Sequence, residues 1–231
     1  MQSRIWKDRI GISRKPTCNA GAIRFAMFKL YYAKGTIAAA VAIALKEADA
    51  DFVGVALDFS NAEQRGEDYL EINPKGRVPA LVTENGTLTE TLAILCHICD
   101  LFPKAGLRPE APYKVAQMQS VMTYLASTAH VNHAHRMRGA RWAERPESWE
   151  DMRLKVPQTM AETADYLEHH CLKGPFVMGD RFSVADAYLF VVCTWFAGDG
   201  VDITKFSKLA RFFDLVGNRP SVRAARAEGY L

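Results

Sequence analysis

Two adjacent residues at the start of a predicted helix, Glu90 and Thr91, have the chemistry to hold the charged end of an amino acid. The first turn of a helix exposes free backbone N–H groups and the positive end of the helix dipole, and both favour an anion. The Thr91 hydroxyl adds a donor for a ligand carboxylate, and the Glu90 carboxylate accepts from a ligand ammonium. The pair predicts a site for a zwitterionic group; the alternative is an ordinary acidic first turn.

A second candidate lies upstream, where Val78 and Pro79 open a predicted third strand. Proline cannot donate to a strand ladder, so it is tolerated at a strand end. A cis bond would turn the backbone of Val78 toward a ligand at the sheet edge, whereas a trans bond would make Pro79 a plain edge-strand proline. From its context we expect the cis form.

Two other patterns suggest chemistry that the order of the elements argues against. Cys96 and Cys99 form a C-x-x-C pair in the middle of a predicted helix, whereas redox thioredoxins carry such a pair where the first helix begins. We therefore expect both cysteines to be packing residues. His130, His133 and His135 share one predicted helix, but only the first two lie on one face, so no metal is expected.

The totals are those of an ordinary globular protein. The chain has 231 residues, of which 49% are apolar and 24% charged, enough for one large or two small domains. The longest uncharged apolar run covers residues 37–45, whereas a membrane span needs about 20 residues, so no membrane association is expected. Five cysteines, an odd number, predict free thiols in a reducing compartment, which we take to be the cytoplasm.

Positive charge is concentrated at the N-terminus. Residues 1–26 carry a net charge of +5 and the whole chain +3, so residues 27–231 carry −2. A nucleic-acid-binding protein would place its positive charge on the folded body, which argues against that class. We expect residues 1–26 to be a basic, disordered extension or residues upstream of the true start.

The elements that must position the candidate residues alternate between strand and helix in the first part of the chain. They are a strand over 28–33, a helix over 36–48, a strand over 51–57, a helix over 62–70, a short hairpin around Asn85 and Gly86, and a helix over 90–101. Thr36 is placed to cap the first helix, and the second strand is apolar enough to be buried on both faces. The order βαβ-α-ββα predicts a thioredoxin-like domain over residues 27–102.

The remainder of the chain reads as helical. Prolines and a glycine mark a linker over 103–112, and no convincing strand follows it, so residues 113–231 are predicted to form an all-helical domain. One of its helices, over 184–196, is apolar nearly all round and is expected at the centre of a bundle. Ser183 and Asp186 are expected to cap its N-terminus as a structural pair.

Four segments resemble cytosolic glutathione transferases, most closely the bacterial beta class. They are K-L-Y-Y-A at 29–33, N-P-K-G-R-V-P-A-L at 73–81, L-T-E-T-L-A-I at 88–94 and G-D-R-F-S-V-A-D-A-Y-L-F at 179–190. The resemblance covers residues 27–231 in the family's order. It implies an α/β thioredoxin-like N-terminal domain plus an all-α C-terminal helical bundle, a homodimer, and glutathione as co-substrate with no metal.

The resemblance implies a role for each matching residue. Val78, ahead of a cis Pro79, would pair backbone to backbone with the cysteinyl part of glutathione. Glu90 and Thr91 would hold its γ-glutamyl end, and Arg77 is assigned to the same glutathione site.

The usual thiol-contacting pair is missing. Beta-class members have a cysteine and then a serine where this chain has Ile37 and Ala38, whose side chains can neither donate a hydrogen bond nor form a mixed disulfide. Three donors are candidates to replace the pair. They are Thr36, whose alternative role is the helix cap, Tyr32 at the end of the first strand, and His130, which falls where beta-class members have a histidine reaching the thiol region.

A group of residues beyond His130 has two interpretations: it lines the mouth of a second-substrate site, or it is a solvated basic face at a helix end. Its members are His133, Arg136, Met137, Arg138, Arg141 and Trp142. For the first interpretation we assign His133 and Met137 to the second substrate.

The sequence therefore predicts an enzyme that conjugates the glutathione thiolate to a small electrophilic, mostly apolar substrate. The alternative is a catalytically weak or inactive protein of the same fold that binds glutathione or hydrophobic ligands, because a fold does not fix a function. In that case Ile37 and Ala38 mark lost chemistry.

Overall fold

The computed structural model describes residues 27–231, so the predicted basic extension over 1–26 lies outside the described residues. The strands are β1 Phe28–Tyr32, β2 Phe52–Ala56, β3 Ala80–Thr83 and β4 Gly86–Thr89. The α-helices are α1 Ala38–Glu47, α2 Glu67–Ile72, α3 Thr91–Leu101, α4 Pro112–Tyr124, α5 His130–His135, α6 Pro146–Tyr166, α7 Val184–Trp195, α8 Ser207–Gly217 and α9 Pro220–Ala227. A π-helical turn, Leu125–Ala129, joins α4 to α5, and another, Leu167–Cys171, extends α6.

The four strands form one mixed sheet in the order β2-β1-β3-β4. β1 pairs in parallel with β2 and antiparallel with β3, and β3 pairs antiparallel with β4. This is the predicted thioredoxin-like sheet, and the elements from Pro112 onward are helical, so the predicted fold class is confirmed. Within residues 27–231, no helix combines the length and hydropathy that a bilayer crossing requires.

Helix α1 joins the two parts of the molecule. Its first eight residues, mostly alanine, are all buried. Small side chains allow close approach, and α1 packs against β1 and α3 on one side and against α7 and α9 of the helical domain on the other. The start of α1 is therefore fixed by both domains.

Helix α7 is the centre of the helical domain and is buried along almost its whole length. The Asp186 carboxylate accepts hydrogen bonds from the backbone N–H of Val177 at 2.7 Å, the backbone N–H of Ser183 at 2.7 Å and the Ser183 hydroxyl at 2.8 Å. Burial raises the pKa of Asp186 to about 6, against the lowering effect of these donors. The group is therefore ionised at neutral pH and ties the segment before α7 to its first turn.

Three local predictions were wrong. β2 is not buried on both faces: it is the edge strand, and Val53 is 42% exposed. Thr36 does not cap α1, because the N-cap residue is Ile37 and the Thr36 hydroxyl donates to the Ala33 carbonyl at 2.6 Å. The helix predicted over 62–70 is split at Gly66 into a 3₁₀ turn, Glu63–Arg65, and α2.

Replacing Asp186 tests the importance of the cap. We expect Asp186→Ala to lower the free energy of unfolding by about 3 kcal/mol, because two buried backbone N–H groups lose their acceptor. Urea denaturation at one protein concentration measures the loss. The exposed Asp180→Ala is the control and should change stability by less than about 0.5 kcal/mol. A loss for Asp186→Ala as small as the control's would contradict the assignment.

Candidate functional site

The backbone at Val78 is open to a ligand. The Val78–Pro79 bond is cis, and neither the N–H nor the carbonyl of Val78 has a hydrogen-bond partner among residues 27–231. The preceding carbonyl, that of Arg77, accepts from the Tyr69 hydroxyl and from Asn73 Nδ2, each at 2.6 Å. Burial is the main cause that raises the pKa of Tyr69 to about 12, which keeps it a donor. Tyr69 and Asn73 thus hold the carbonyl of Arg77, while the backbone N–H and carbonyl of Val78 stay unpaired within the described residues.

Glu90 and Thr91 lie at the same end of the sheet as Val78. Ala80 pairs with Thr89 in the β3–β4 ladder, so the residues before Ala80 lie beside those after Thr89. Glu90 has a φ of 69°, a left-handed conformation that is strained for a residue with a side chain. Its exposed carboxylate accepts from Lys75 Nζ at 2.6 Å. Strain that the surrounding structure maintains is typical of binding sites.

Thr91 begins α3 and is buried, with 6% of its surface exposed. Its hydroxyl makes no hydrogen bond to another residue of the described chain. Thr91 and the first turn of α3 therefore offer unused donors next to the Glu90 carboxylate, the combination that a zwitterion requires.

Two residues of the helical domain form hydrogen bonds with Gly35 in the loop after β1. The Gly35 N–H donates to the Tyr230 carbonyl at 3.0 Å, and the Gly35 carbonyl accepts from Trp195 Nε1 at 3.1 Å. Gly35 has a φ of 70°, which favours glycine. This pair of contacts fixes the position from which α1 begins.

At the start of α1, two backbone N–H groups lack an acceptor and the side chains carry no donor. Ile37 and Ala38 are buried in the core and carry no side-chain donor. Their backbone N–H groups have no acceptor within the described residues, because the first bonds of the helix are donated by Ala39 and Ala40. They point out of the positive end of a ten-residue helix, an arrangement that suits an anion.

Of the three predicted thiol donors, Tyr32 is held away from this edge. Its ring packs on Tyr230 with centroids 4.2 Å apart. A methyl group added at Gly54 of β2 would lie 3.1 Å from Tyr32 Cε1, so the ring leans over β2. Because β3 lies on the other side of β1, this orientation favours Thr36 and His130 over Tyr32.

His130 begins α5 and is half-buried beside Trp195, with ring centroids 5.1 Å apart. Burial first, and then the charges of His133, Arg138, Arg141 and Arg77, lower the pKa of His130 to about 4. Its imidazole is therefore neutral at physiological pH and has one N–H to donate. Trp195 also donates to the Gly35 carbonyl, so His130 packs on the same indole that holds the loop ahead of α1.

His133 has contacts that support Trp195. Its ring stacks on Trp195 with centroids 4.2 Å apart, and its Nδ1 lies 2.7 Å from Oδ2 of the buried Asp199. Arg136 Nε lies 3.3 Å from the other carboxylate oxygen. Met137 is 77% exposed, so its assignment to a second substrate stays a prediction, as does that of His133.

Sequence reasoning missed Trp195, Asp199, Tyr69 and Tyr230. Trp195, Asp199 and Tyr230 act on residues far away in the chain, and Tyr69 reaches Arg77 eight residues ahead, a contact that no local motif indicates. The one usable signal was a tryptophan at the end of an otherwise apolar buried helix, because a buried indole N–H needs an acceptor.

The C-x-x-C pair lies in the middle of α3 and not at the start of α1, whereas His130 and His133 of the histidine group belong to the site described above. Cys99 is buried in α3 with its Sγ 3.7 Å from the Leu107 carbonyl, and burial is the main cause that raises its pKa to about 12. A thiol that stays protonated is a poor nucleophile. In the part of the chain that the structure describes, no group of three or more histidine, cysteine or acidic residues could hold a metal ion.

Comparisons with known proteins agree with the fold. Residues 26–100 match the family model "Glutathione S-transferase, N-terminal domain", and residues 138–224 match "Glutathione S-transferase, C-terminal domain". The chain is 31% identical to the glutathione S-transferase GstA of Escherichia coli O157:H7 over 208 residues, which cover 87% of this chain and 98% of that protein.

Two solved structures are similar to the whole described region. A glutathione transferase homologue from Sulfitobacter with bound glutathione is 52% identical, covers 89% of this chain and 99% of its own, and superposes with a TM-score of 0.87. The bacterial beta-class glutathione S-transferase of Sphingomonas chungbukensis is 33% identical, and the match covers 88% of this chain and 100% of that chain. The two superpose with a TM-score of 0.76.

The low pKa of His130 has a measurable consequence. The pKa of His130 in the folded protein, about 4, is below the ordinary 6.5. As the pH falls, the unfolded chain therefore takes up the His130 proton before the folded protein does. The stability that His130 contributes is complete above pH 6.5 and is lost as the pH falls toward 4. We expect the His130 C2–H signal in an NMR titration to move near pH 4, and His130→Asn to flatten the pH dependence of unfolding over this range. A His130 signal that titrates near 6.5 would show that the ring is exposed.

Proposed function

This chain belongs to the glutathione S-transferase family, and from that premise we propose that it binds glutathione and adds its thiolate to a small, mostly apolar electrophile. The observation that carries the proposal is the unpaired backbone of Val78 beside the unused donors of Thr91 and the carboxylate of Glu90. A γ-glutamyl tripeptide has the matching groups: a peptide backbone in the middle and a zwitterion at one end.

Glutathione would lie along the sheet edge. The backbone N–H and carbonyl of Val78 would pair with the cysteinyl residue, as an added strand does. The γ-glutamyl carboxylate would accept from the Thr91 hydroxyl and the first turn of α3, and its ammonium would donate to Glu90, which Lys75 already orients. This arrangement directs the sulfur toward the start of α1.

The thiolate would be stabilised there without a side chain at 37 or 38. The positive end of α1, with the unpaired N–H groups of its first turn, would favour the ionised sulfur through the field of the helix. The neutral His130 imidazole can donate one hydrogen bond, and the Thr36 hydroxyl can donate another if it turns from the Ala33 carbonyl. Each unit by which these donors lower the thiol pKa is worth about 1.4 kcal/mol.

The chemistry that follows needs no further cofactor. With a chloronitrobenzene, the thiolate attacks the ring carbon that carries chlorine and a C–S bond forms. Chloride then leaves with the electron pair of the C–Cl bond, and the thiol proton passes to solvent. The proposal includes the homodimer and the cytoplasmic location that the resemblance implies.

A second candidate is a glutathione or hydrophobic-ligand binding protein without useful turnover. The observation that favours it is the burial of apolar side chains at Ile37 and Ala38. Retention on a glutathione column with no turnover of 1-chloro-2,4-dinitrobenzene would support this candidate over the enzyme.

Glu90→Gln tests the zwitterion site. It removes the charge that faces the ligand ammonium, so we expect calorimetry to show a glutathione dissociation constant raised about tenfold. Glu84→Gln, a matched change at the opposite end of the same hairpin, should leave binding unaltered. Equal effects of the two variants, or no heat from glutathione with the parent protein, would refute the assignment.

Thr36→Ala tests the hydroxyl donor. We expect kcat with 1-chloro-2,4-dinitrobenzene to fall about tenfold while the glutathione dissociation constant stays the same, because the hydroxyl would act on the sulfur alone. Thr36→Ser keeps the donor and should retain most of the rate. If Thr36→Ala turns over as fast as the parent, the backbone N–H groups and His130 suffice and Thr36 has no catalytic role.

A further inference from the structure

Three residues at regular spacing along α5 contact the end of α7. His130, His133 and Arg136 follow one another at intervals of three, and Arg136 keeps helical backbone angles just after α5, so the three lie on one face. The rings of His130 and His133 pack on Trp195, with centroids 5.1 and 4.2 Å away. Arg136 Nη1 donates to the Gly198 carbonyl. This face of α5 therefore fits against the end of α7 and the residues just after it.

The Asp199 carboxylate lies at the centre of this contact. Its side chain is fully buried, its Oδ2 lies 2.7 Å from His133 Nδ1, and its Oδ1 lies 3.3 Å from Arg136 Nε. The Asp199 backbone N–H donates to the Trp195 carbonyl at 3.0 Å, so the carboxylate stands one turn beyond the indole. Among residues 27–231, His133 is the hydrogen-bond partner of this carboxylate, which makes Nδ1 the donor and fixes the plane of the imidazole.

Packing alone does not require a carboxylate at this place. Removing its charge from water costs free energy that its neighbouring cations often only offset, and an apolar group of similar size would hold two helices together as firmly. An apolar group could not fix the rotation of the His133 ring. That ring lies nearly parallel to the Trp195 indole, with an angle of 14° between the planes, so its orientation determines that of the indole.

The indole connects this contact to the proposed reaction site in two ways. Trp195 Nε1 donates to the Gly35 carbonyl at 3.1 Å, in the loop from which α1 begins. The same indole packs on His130, one of the proposed donors to the sulfur. A rotation of the indole would therefore displace its N–H from the Gly35 carbonyl and would remove the support of the His130 ring at the same time.

We propose that Asp199 is a positioning residue for the transfer reaction, which acts through His133 and Trp195. It keeps the loop before α1 and the His130 ring where the proposed chemistry needs them, although its own carboxylate is buried behind both rings. This inference rests on the proposed function. The rival interpretation is that Asp199 only stabilises the helical domain, in which case its removal lowers stability without a selective loss of rate.

Kinetics and calorimetry of Asp199→Ala test the proposal. We expect kcat with 1-chloro-2,4-dinitrobenzene to fall about tenfold, because the groups around the sulfur lose their alignment. The glutathione dissociation constant should stay the same, since the residues proposed to hold the tripeptide are untouched. Asp199→Asn keeps an oxygen that can accept from His133 Nδ1 and should retain most of the rate. Asp202→Ala is the matched control, because this exposed carboxylate caps a turn through the Thr204 N–H, and its kcat should equal that of the parent.

Hydrogen exchange measured by NMR follows the indole directly. The Trp195 indole N–H exchanges only when its bond to the Gly35 carbonyl opens. In Asp199→Ala we expect this exchange to be at least about tenfold faster than in the parent, while the backbone amides in the middle of α7 change far less. Asp202→Ala should leave the indole exchange at the rate of the parent.

An Asp199→Ala protein with the kcat or the indole exchange of the parent would overturn the proposal. So would equal acceleration of exchange at the indole and throughout α7, because the role would then be structural only. If Asp199→Ala does not fold, His133→Phe keeps a ring on Trp195 without the Nδ1 donor; faster indole exchange supports the proposal and unchanged exchange refutes it. A parent protein without turnover would overturn the proposed function instead, and the exchange measurement alone then decides the inference.

Discussion

The two hydrogen bonds between the helical domain and Gly35 are the constraint on which the rest of the site depends. Trp195 and Tyr230 hold the two polar groups of this one peptide residue, and its left-handed backbone turns the chain into α1. These hydrogen bonds fix the loop from which α1 begins, and the first N–H groups of that helix have no acceptor within the described residues. Behind Trp195, His133 and Asp199 form the support that keeps the indole in position.

Two buried carboxylates of the chain lie beside hydrogen-bond donors or cations. Asp186 and Asp199, both fully buried, are each surrounded by donors or cations, as a buried carboxylate requires. Asp186 thereby ties the segment before α7 to its first turn, whereas Asp199 fixes the ring of His133, which stacks on Trp195.

The sequence was informative where a feature is local. The βαβ-α-ββα order, the helical second domain and the positions of Ser183 and Asp186 follow from short-range patterns, whereas the cis bond before Pro79 was expected from its context and not from the dipeptide alone. Sequence-based prediction failed where contacts between distant segments determine the structure. The exposure of β2 depends on its place at the sheet edge, and the lean of the Tyr32 ring depends on Tyr230, which lies near the other end of the chain. Thr36 is a local exception: its hydroxyl donates to the carbonyl of Ala33 in the preceding turn, and a capping pattern does not distinguish this bond from a helix cap.

Because the helical domain holds Gly35 of the thioredoxin-like domain through two hydrogen bonds, the two domains have to evolve together. A chimaera that joined this thioredoxin-like half to the helical half of a relative would keep the glycine but exchange the indole that donates to it and the segment whose backbone carbonyl accepts from it. Its sheet could fold normally while the loop ahead of α1 shifted from its place. Recombination among such proteins should therefore preserve function only when the incoming helical half supplies both an indole N–H and a backbone carbonyl at these places, however well each half folds alone.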